Sequence, residues 1–103
     1  ENVMVVVDDI ALPFAKLRMR AKGSAAGHNG LKNIEQLLGG QNYPRLKFGV
    51  GDDFPKGRQV DYVLSNFTQQ EFDELPFAMD KAIDMILGFC TIGIARTMSQ
   101  YND

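Results

Sequence analysis

Residues 3–7 read Val-Met-Val-Val-Val and end on the acidic pair Asp8-Asp9. An unbroken apolar, β-branched run of this kind is the pattern of a strand covered on both faces, and such strands sit in sheets with helices packed on either side. The next segment has a different grammar. Lys16-Leu17-Arg18-Met19-Arg20-Ala21-Lys22 alternates strictly, so a strand here carries its cations on one face and its apolar side chains on the other. Gly23-Ser24-Ala25-Ala26-Gly27 is a loop of small residues, after which Leu31, Ile34, Leu37 and Leu38 keep helical spacing until Gly39-Gly40 stops the helix. Leu46, Phe48 and Val50 alternate with Lys47 and Gly49 as another strand, residues 51–57 carry turn chemistry, and Val60, Tyr62 and Leu64 suggest a further short strand.

Thr68-Gln69-Gln70-Glu71 is a capping box, so a helix begins there, and Pro76 is expected to separate it from a longer helix. In that second helix Met79, Ile83, Ile86, Leu87, Cys90 and Ile94 form an apolar stripe expected to face the core. The order is β-β-α-β-β-α-α, an α/β fold read as part of a three-layer domain around a twisted mixed sheet. Three helical segments and about four strands supply only part of the cover that the first strand needs. The chain also opens on Glu1, inside what reads as a strand, so it is expected to be a piece of a larger domain.

Charge is distributed unevenly. Residues 10–51 hold seven Lys or Arg and one Glu, a net of +6, whereas the remainder is −8 and the whole is −2. The acidic total argues against a general nucleic-acid binder, but the asymmetry suggests one face that meets an anion, with an ordinary solvated face as the bland alternative. A single cysteine, Cys90, excludes an internal disulfide and a cysteine-based zinc site, and fits a reducing, cytosolic setting. No apolar run approaches the roughly 20 residues of a membrane span.

Gly23 and Gly27 have the glycine spacing of a phosphate-binding loop between strand and helix. His28-Asn29 stands where such a loop places Lys-Ser/Thr, so a nucleotide triphosphatase is not supported. Backbone N–H groups at a helix start, beside a basic strand, still favour an anionic group; a plain loop capped by Asn29 or Ser24 accounts for the same residues. His28 is the only histidine, without the neighbouring Ser or Cys of a nucleophile triad or the clustered carboxylates of a metal site. Asp8 and Asp9 can approach it only through the fold. Asp8 ends the first strand, where open α/β sheets place working residues.

Three segments together carry a resemblance: Val5-Val6-Val7-Asp8-Asp9-Ile10-Ala11-Leu12-Pro13, then Gly23-Ser24-Ala25-Ala26-Gly27-His28-Asn29-Gly30-Leu31-Lys32, then Arg45-Leu46-Lys47-Phe48-Gly49-Val50-Gly51. In order and near spacing they resemble the bacterial-type peptidyl-tRNA hydrolases, the Gly-His-Asn-Gly-Leu-Lys string being the most specific. The resemblance covers essentially all 103 residues but only the C-terminal half or so of the family's domain. It implies a monomeric α/β globule in the cytoplasm that acts on peptidyl-tRNA and so recycles tRNA. The chemistry implied is hydrolysis of the ester to the 3′ ribose by a histidine general base, with no metal or other cofactor and no membrane.

By resemblance, Asp8 matches the acid that orients the catalytic histidine, Asn29 the amide that contacts substrate near the ester, and His28 the neighbouring histidine of the tRNA-facing helix start. Arg20 and Lys47 match two cations that clamp a tRNA phosphate, with Lys22 beside them and Arg45 as a competitor for the place of Lys47. The chain departs from the family pattern at Ala25-Ala26. It also lacks the N-terminal half, which in the family holds the catalytic histidine and two substrate-binding asparagines. Residues 1–103 are thus expected to be the C-terminal part of one such domain, inactive alone but keeping the orienting acid and the tRNA surface. The alternative is an RNA-binding relative of the splicing-factor kind, without hydrolase activity; a small anion-binding module is disfavoured by the failed phosphate loop.

Overall fold

The computed structural model describes residues 3–25, 28–52, 57, 59–63 and 65–102. The elements are β1 (Val5–Asp9), β2 (Leu17–Arg20), α1 (Asn29–Leu38), β3 (Arg45–Gly49), α2 (Gln59–Val63), α3 (Gln69–Ile92) and α4 (Ile94–Tyr101). The sheet order is β1-β3-β2, with β1 parallel and β2 antiparallel to the central β3. This is the expected mixed α/β sheet.

Alternation along β2 and β3 builds the layers. Leu17, Met19 and Leu46 are buried together with Met85 of α3, and Phe89 of α3 and Ile94 and Met98 of α4 pack against them. Val5 and Val7, opposite Arg45 and Lys47 in register, therefore lie on the other sheet face. They pack there with Leu31 and Ile34 of α1 and with Tyr43. The result is α1, sheet, then α3 with α4. Only half of what β1 needs is met, because Val6 remains 56% exposed and no described strand pairs with the outer edge of β1.

Three expectations are corrected. The segment expected as a fourth strand is helix α2, with Leu64 outside the described residues. An alternation only five residues long is too short for periodicity to exclude a short helix. The Tyr62 hydroxyl settles the choice by donating to the carbonyl of Val50, just beyond β3. The turn expected over residues 51–57 falls mostly outside the described residues.

Pro76 does not divide the C-terminal helices. The capping box forms as expected, Glu71 N–H donating to Thr68 Oγ1 at 3.1 Å and Thr68 N–H to Glu71 Oε1 at 2.9 Å. From it α3 runs 24 residues straight through Pro76, giving up the one bond that the missing N–H would make to Phe72. The break comes at Gly93, at φ 89°, whose N–H reaches back to Gly88. Most of the apolar stripe also faces the other way: Met79, Ile83 and Leu87 are 55, 52 and 56% exposed and Cys90 is exposed, while Ile94, at the start of α4, packs on the core as expected. The side against the sheet is Ala78, Ala82, Met85 and Phe89, where two alanines let the helix approach closely.

The edge of β2 is closed by a side chain. Met19 N–H donates to Asn102 Oδ1 at 2.8 Å, and Asn102 Nδ2 donates to the Met19 carbonyl at 2.8 Å. One amide thus stands in for the backbone of a neighbouring strand.

Candidate functional site

The site begins where β1 ends. The loop after it folds back over β3, with Ala15 N–H on the Gly49 carbonyl, Gly49 N–H on Lys16 and Gly51 N–H on Leu12. Gly49 permits this approach, since a Cβ there would lie 2.1 Å from the Pro13 carbonyl oxygen. The fold-back fixes the exit of Asp8 and Asp9. Asp9 accepts from Ala11 N–H at 2.8 Å and faces the Lys47 ammonium at 3.6 Å.

Asp8 meets His28. The residue that caps α1 is His28 itself, rather than Asn29 or Ser24: its Nδ1 accepts from Leu31 N–H at 3.2 Å. A ring nitrogen that accepts carries no proton, so in the neutral ring the proton sits on Nε2. Nε2 lies 2.9 Å from Asp8 Oδ1 and donates to it. Both nitrogens are thereby engaged, and His28 as held has no free lone pair with which to act as a base. Asn29, the first helical residue, is exposed beside it. Asp8 also lines a cleft of about 280 Å³ with Phe14, Val50, Tyr62, Ser65, Asn66, Phe67 and Glu71. Phe14 stands edge-on to both Phe48 and Phe67, so the wall of the cleft is aromatic.

The cations occupy the α1 side of the sheet. Burial of Leu17 and Met19 puts Arg18 and Arg20 on the opposite face. Register sets Lys47 directly across from Arg18 and diagonal to Arg20. Sequence reasoning did not single out Arg18, although it sits in the same alternating run. Lys22 is exposed on the bend after β2, beyond the strand. Arg45 is removed from the competition: it is fully buried, its guanidinium 4.1 Å over the Tyr43 ring. It donates to the carbonyls of Ser24, Gln41 and Tyr43 at 3.3, 2.9 and 3.4 Å. Arg45 therefore braces the loops on either side of α1. Among the described residues, no three His, Cys, Asp or Glu side chains gather as metal ligands, and no helix is long and apolar enough to cross a membrane.

Comparison with known proteins places the sequence and the fold in one family. The sequence model of the peptidyl-tRNA hydrolase family matches residues 1–103. A peptidyl-tRNA hydrolase of Parabacteroides distasonis is 55% identical over 103 residues, all of this chain and 55% of that protein. One of Porphyromonas gingivalis is 56% identical over 102 residues, 99% of this chain and 55% of that protein. The crystal structure of peptidyl-tRNA hydrolase from Acinetobacter baumannii superposes with a TM-score of 0.85 at 26% identity, over 96% of this chain and 50% of that one. The chain thus spans about half the length of the relatives it matches. By sequence over its whole length and by fold, the chain belongs to the peptidyl-tRNA hydrolase family.

Proposed function

We propose that residues 1–103 form the C-terminal part of a domain that hydrolyses the ester between a peptide and the 3′ ribose of tRNA. This part contributes the orienting acid and the tRNA surface. The observation that carries the reading is the placement of Asp8. It is held by His28 at the end of β1, beside an aromatic-walled cleft and next to a basic sheet face. Hydrolysis needs a group that takes a proton from water as it attacks the ester carbon, and the alkoxide of the ribose must regain a proton as it leaves. In this chain Asp8 can orient and stabilise an imidazolium, but both nitrogens of His28 are engaged. The base belongs to the remainder of the domain, so the chain alone is inactive.

Arg20 and Lys47 serve as the phosphate contacts, with Lys22 and Arg18 beside them, and Asn29 meets the acylated 3′ end. The full domain works as a cytoplasmic monomer with tRNA and peptidyl-tRNA as its partners and no cofactor. Binding of tRNA to the 103-residue chain across a salt series tests the surface. Arg20→Ala and Lys47→Ala should each flatten the log–log salt slope by about 0.7–0.9, one phosphate contact apiece. Asn29→Ala should weaken binding of the acylated 3′ end without changing the slope. An unchanged slope in both cation variants removes these residues from the interface. Peptidyl-tRNA turnover by the completed domain separates a hydrolase from an RNA-binding relative that keeps the same surface.

A further inference from the structure

The geometry points to Gly30 as a positioning residue: by lacking a Cβ, it lets the His28 ring lie across the first turn of α1 and hold Asp8. Gly30 is the second helical residue, exposed, and its φ is outside the left-handed region. Neither burial nor backbone conformation requires glycine there, and alanine is the better helix former. What an added methyl would meet is the imidazole. It would stand 3.0 Å from His28 Cε1 and 3.3 Å from Nδ1, inside the roughly 3.5–4.0 Å of ordinary carbon contact.

The ring cannot yield cheaply. It is tied at both nitrogens, to Leu31 N–H at 3.2 Å and to Asp8 Oδ1 at 2.9 Å. Relieving the clash takes a shift of a few tenths of an ångström. The Leu31 bond is already long, and that shift carries it to the limit of a hydrogen bond. Once Nδ1 stops accepting, the ring is held through Nε2 alone and can pivot about that bond, so Asp8 keeps a donor but loses its defined direction. Gly30 thus acts through His28 on the acid at the end of β1. The inference rests on the reading of Asp8 as the working acid, but its physical content concerns only these three residues.

The test uses the 103-residue chain, in which His28 is the only histidine and gives a single imidazole spectrum. Long-range proton–nitrogen correlation should report one tautomer, Nε2–H with an unprotonated Nδ1. Gly30→Ala should keep the Nε2–H tautomer but move the Nδ1 resonance as that nitrogen loses its hydrogen bond, and amide exchange at Leu31 should rise about fivefold, the order expected when an N-cap is lost. Gly40→Ala, whose Cβ would meet nothing within 4 Å, is the control and should leave the spectrum unchanged.

Should Gly30→Ala fail to fold, thermal unfolding of His28→Ala and of His28→Ala/Gly30→Ala decides. With the ring gone, the added methyl should be neutral or raise Tm. Equal destabilisation in both backgrounds, a Nδ1–H tautomer in the native chain, or an unchanged spectrum in Gly30→Ala overturns the proposal. None of these readouts involves turnover, so a failure of the hydrolase reading leaves them standing and is seen separately.

Discussion

Truncating Asn102 to alanine should destabilise the fold far more than its place near the end of the chain suggests. Its amide makes two hydrogen bonds of 2.8 Å to the backbone of Met19, a fully buried residue on the outer strand. Each bond contributes a net of about 0.5–1.5 kcal/mol, and a buried backbone group left without a partner costs about 1–3 kcal/mol. A loss of about 2 kcal/mol follows for the pair, a large fraction of the roughly 5–15 kcal/mol of a typical domain. For a domain of this size it corresponds to a fall in Tm of about 8–16 °C. Urea unfolding followed by circular dichroism measures the loss directly. Asn102→Asp sharpens the test, because it keeps an acceptor for Met19 N–H but sets a carboxylate oxygen against the Met19 carbonyl. It should not rescue stability. A loss below about 0.5 kcal/mol in Asn102→Ala, the range of ordinary surface changes, refutes the strand-mimic reasoning, as does a native-like Asn102→Asp.

The two faces of α3 should respond oppositely. Met85→Ala should cost about 2–5 kcal/mol by opening a cavity against Leu17, Met19 and Leu46, whereas Ile83→Lys on the exposed stripe should change unfolding free energy by less than about 0.5 kcal/mol. Gly49→Ala should cost more than the 1–3 kcal/mol typical of overpacking, since its methyl would meet the backbone oxygen of Pro13 at 2.1 Å; denaturant unfolding gives the value.

The strands were legible because their patterns have few other readings. Val5–Val7 is apolar throughout, and Leu17–Arg20 alternates cleanly, so both strands and the face that Arg18 and Arg20 present follow from the residues alone. The capping box at Thr68 was legible for the same reason: two side chains and two backbone groups satisfy one another locally. Misreadings came where one pattern serves two structures. A helix apolar on two sides does not say which side meets the sheet, and in α3 the smaller residues Ala78 and Ala82 took that place from Met79 and Ile83. Proline predicts a boundary, but packing along α3 outweighs one lost hydrogen bond. At the site, Asp8 and Asn29 were singled out through a motif. The pairing of His28 with Asp8 and the hold of Arg45 on Ser24 are contacts 20 and 21 residues apart, which no local pattern encodes.

The central claim, that this chain carries the orienting acid and the tRNA surface but not the base, is tested by turnover of an N-blocked aminoacyl-tRNA. The chain is assayed alone and joined to the N-terminal portion of the Parabacteroides distasonis relative. The chain alone should give no hydrolysis above background, and the joined domain should turn over. Asp8→Asn in the joined domain should lower the rate at saturating tRNA by about 10²–10⁴-fold, the contribution of a positioned proton-transfer group, with tRNA affinity little changed. Robust turnover by the chain alone, or an Asp8→Asn variant altered only in tRNA affinity, would contradict the account.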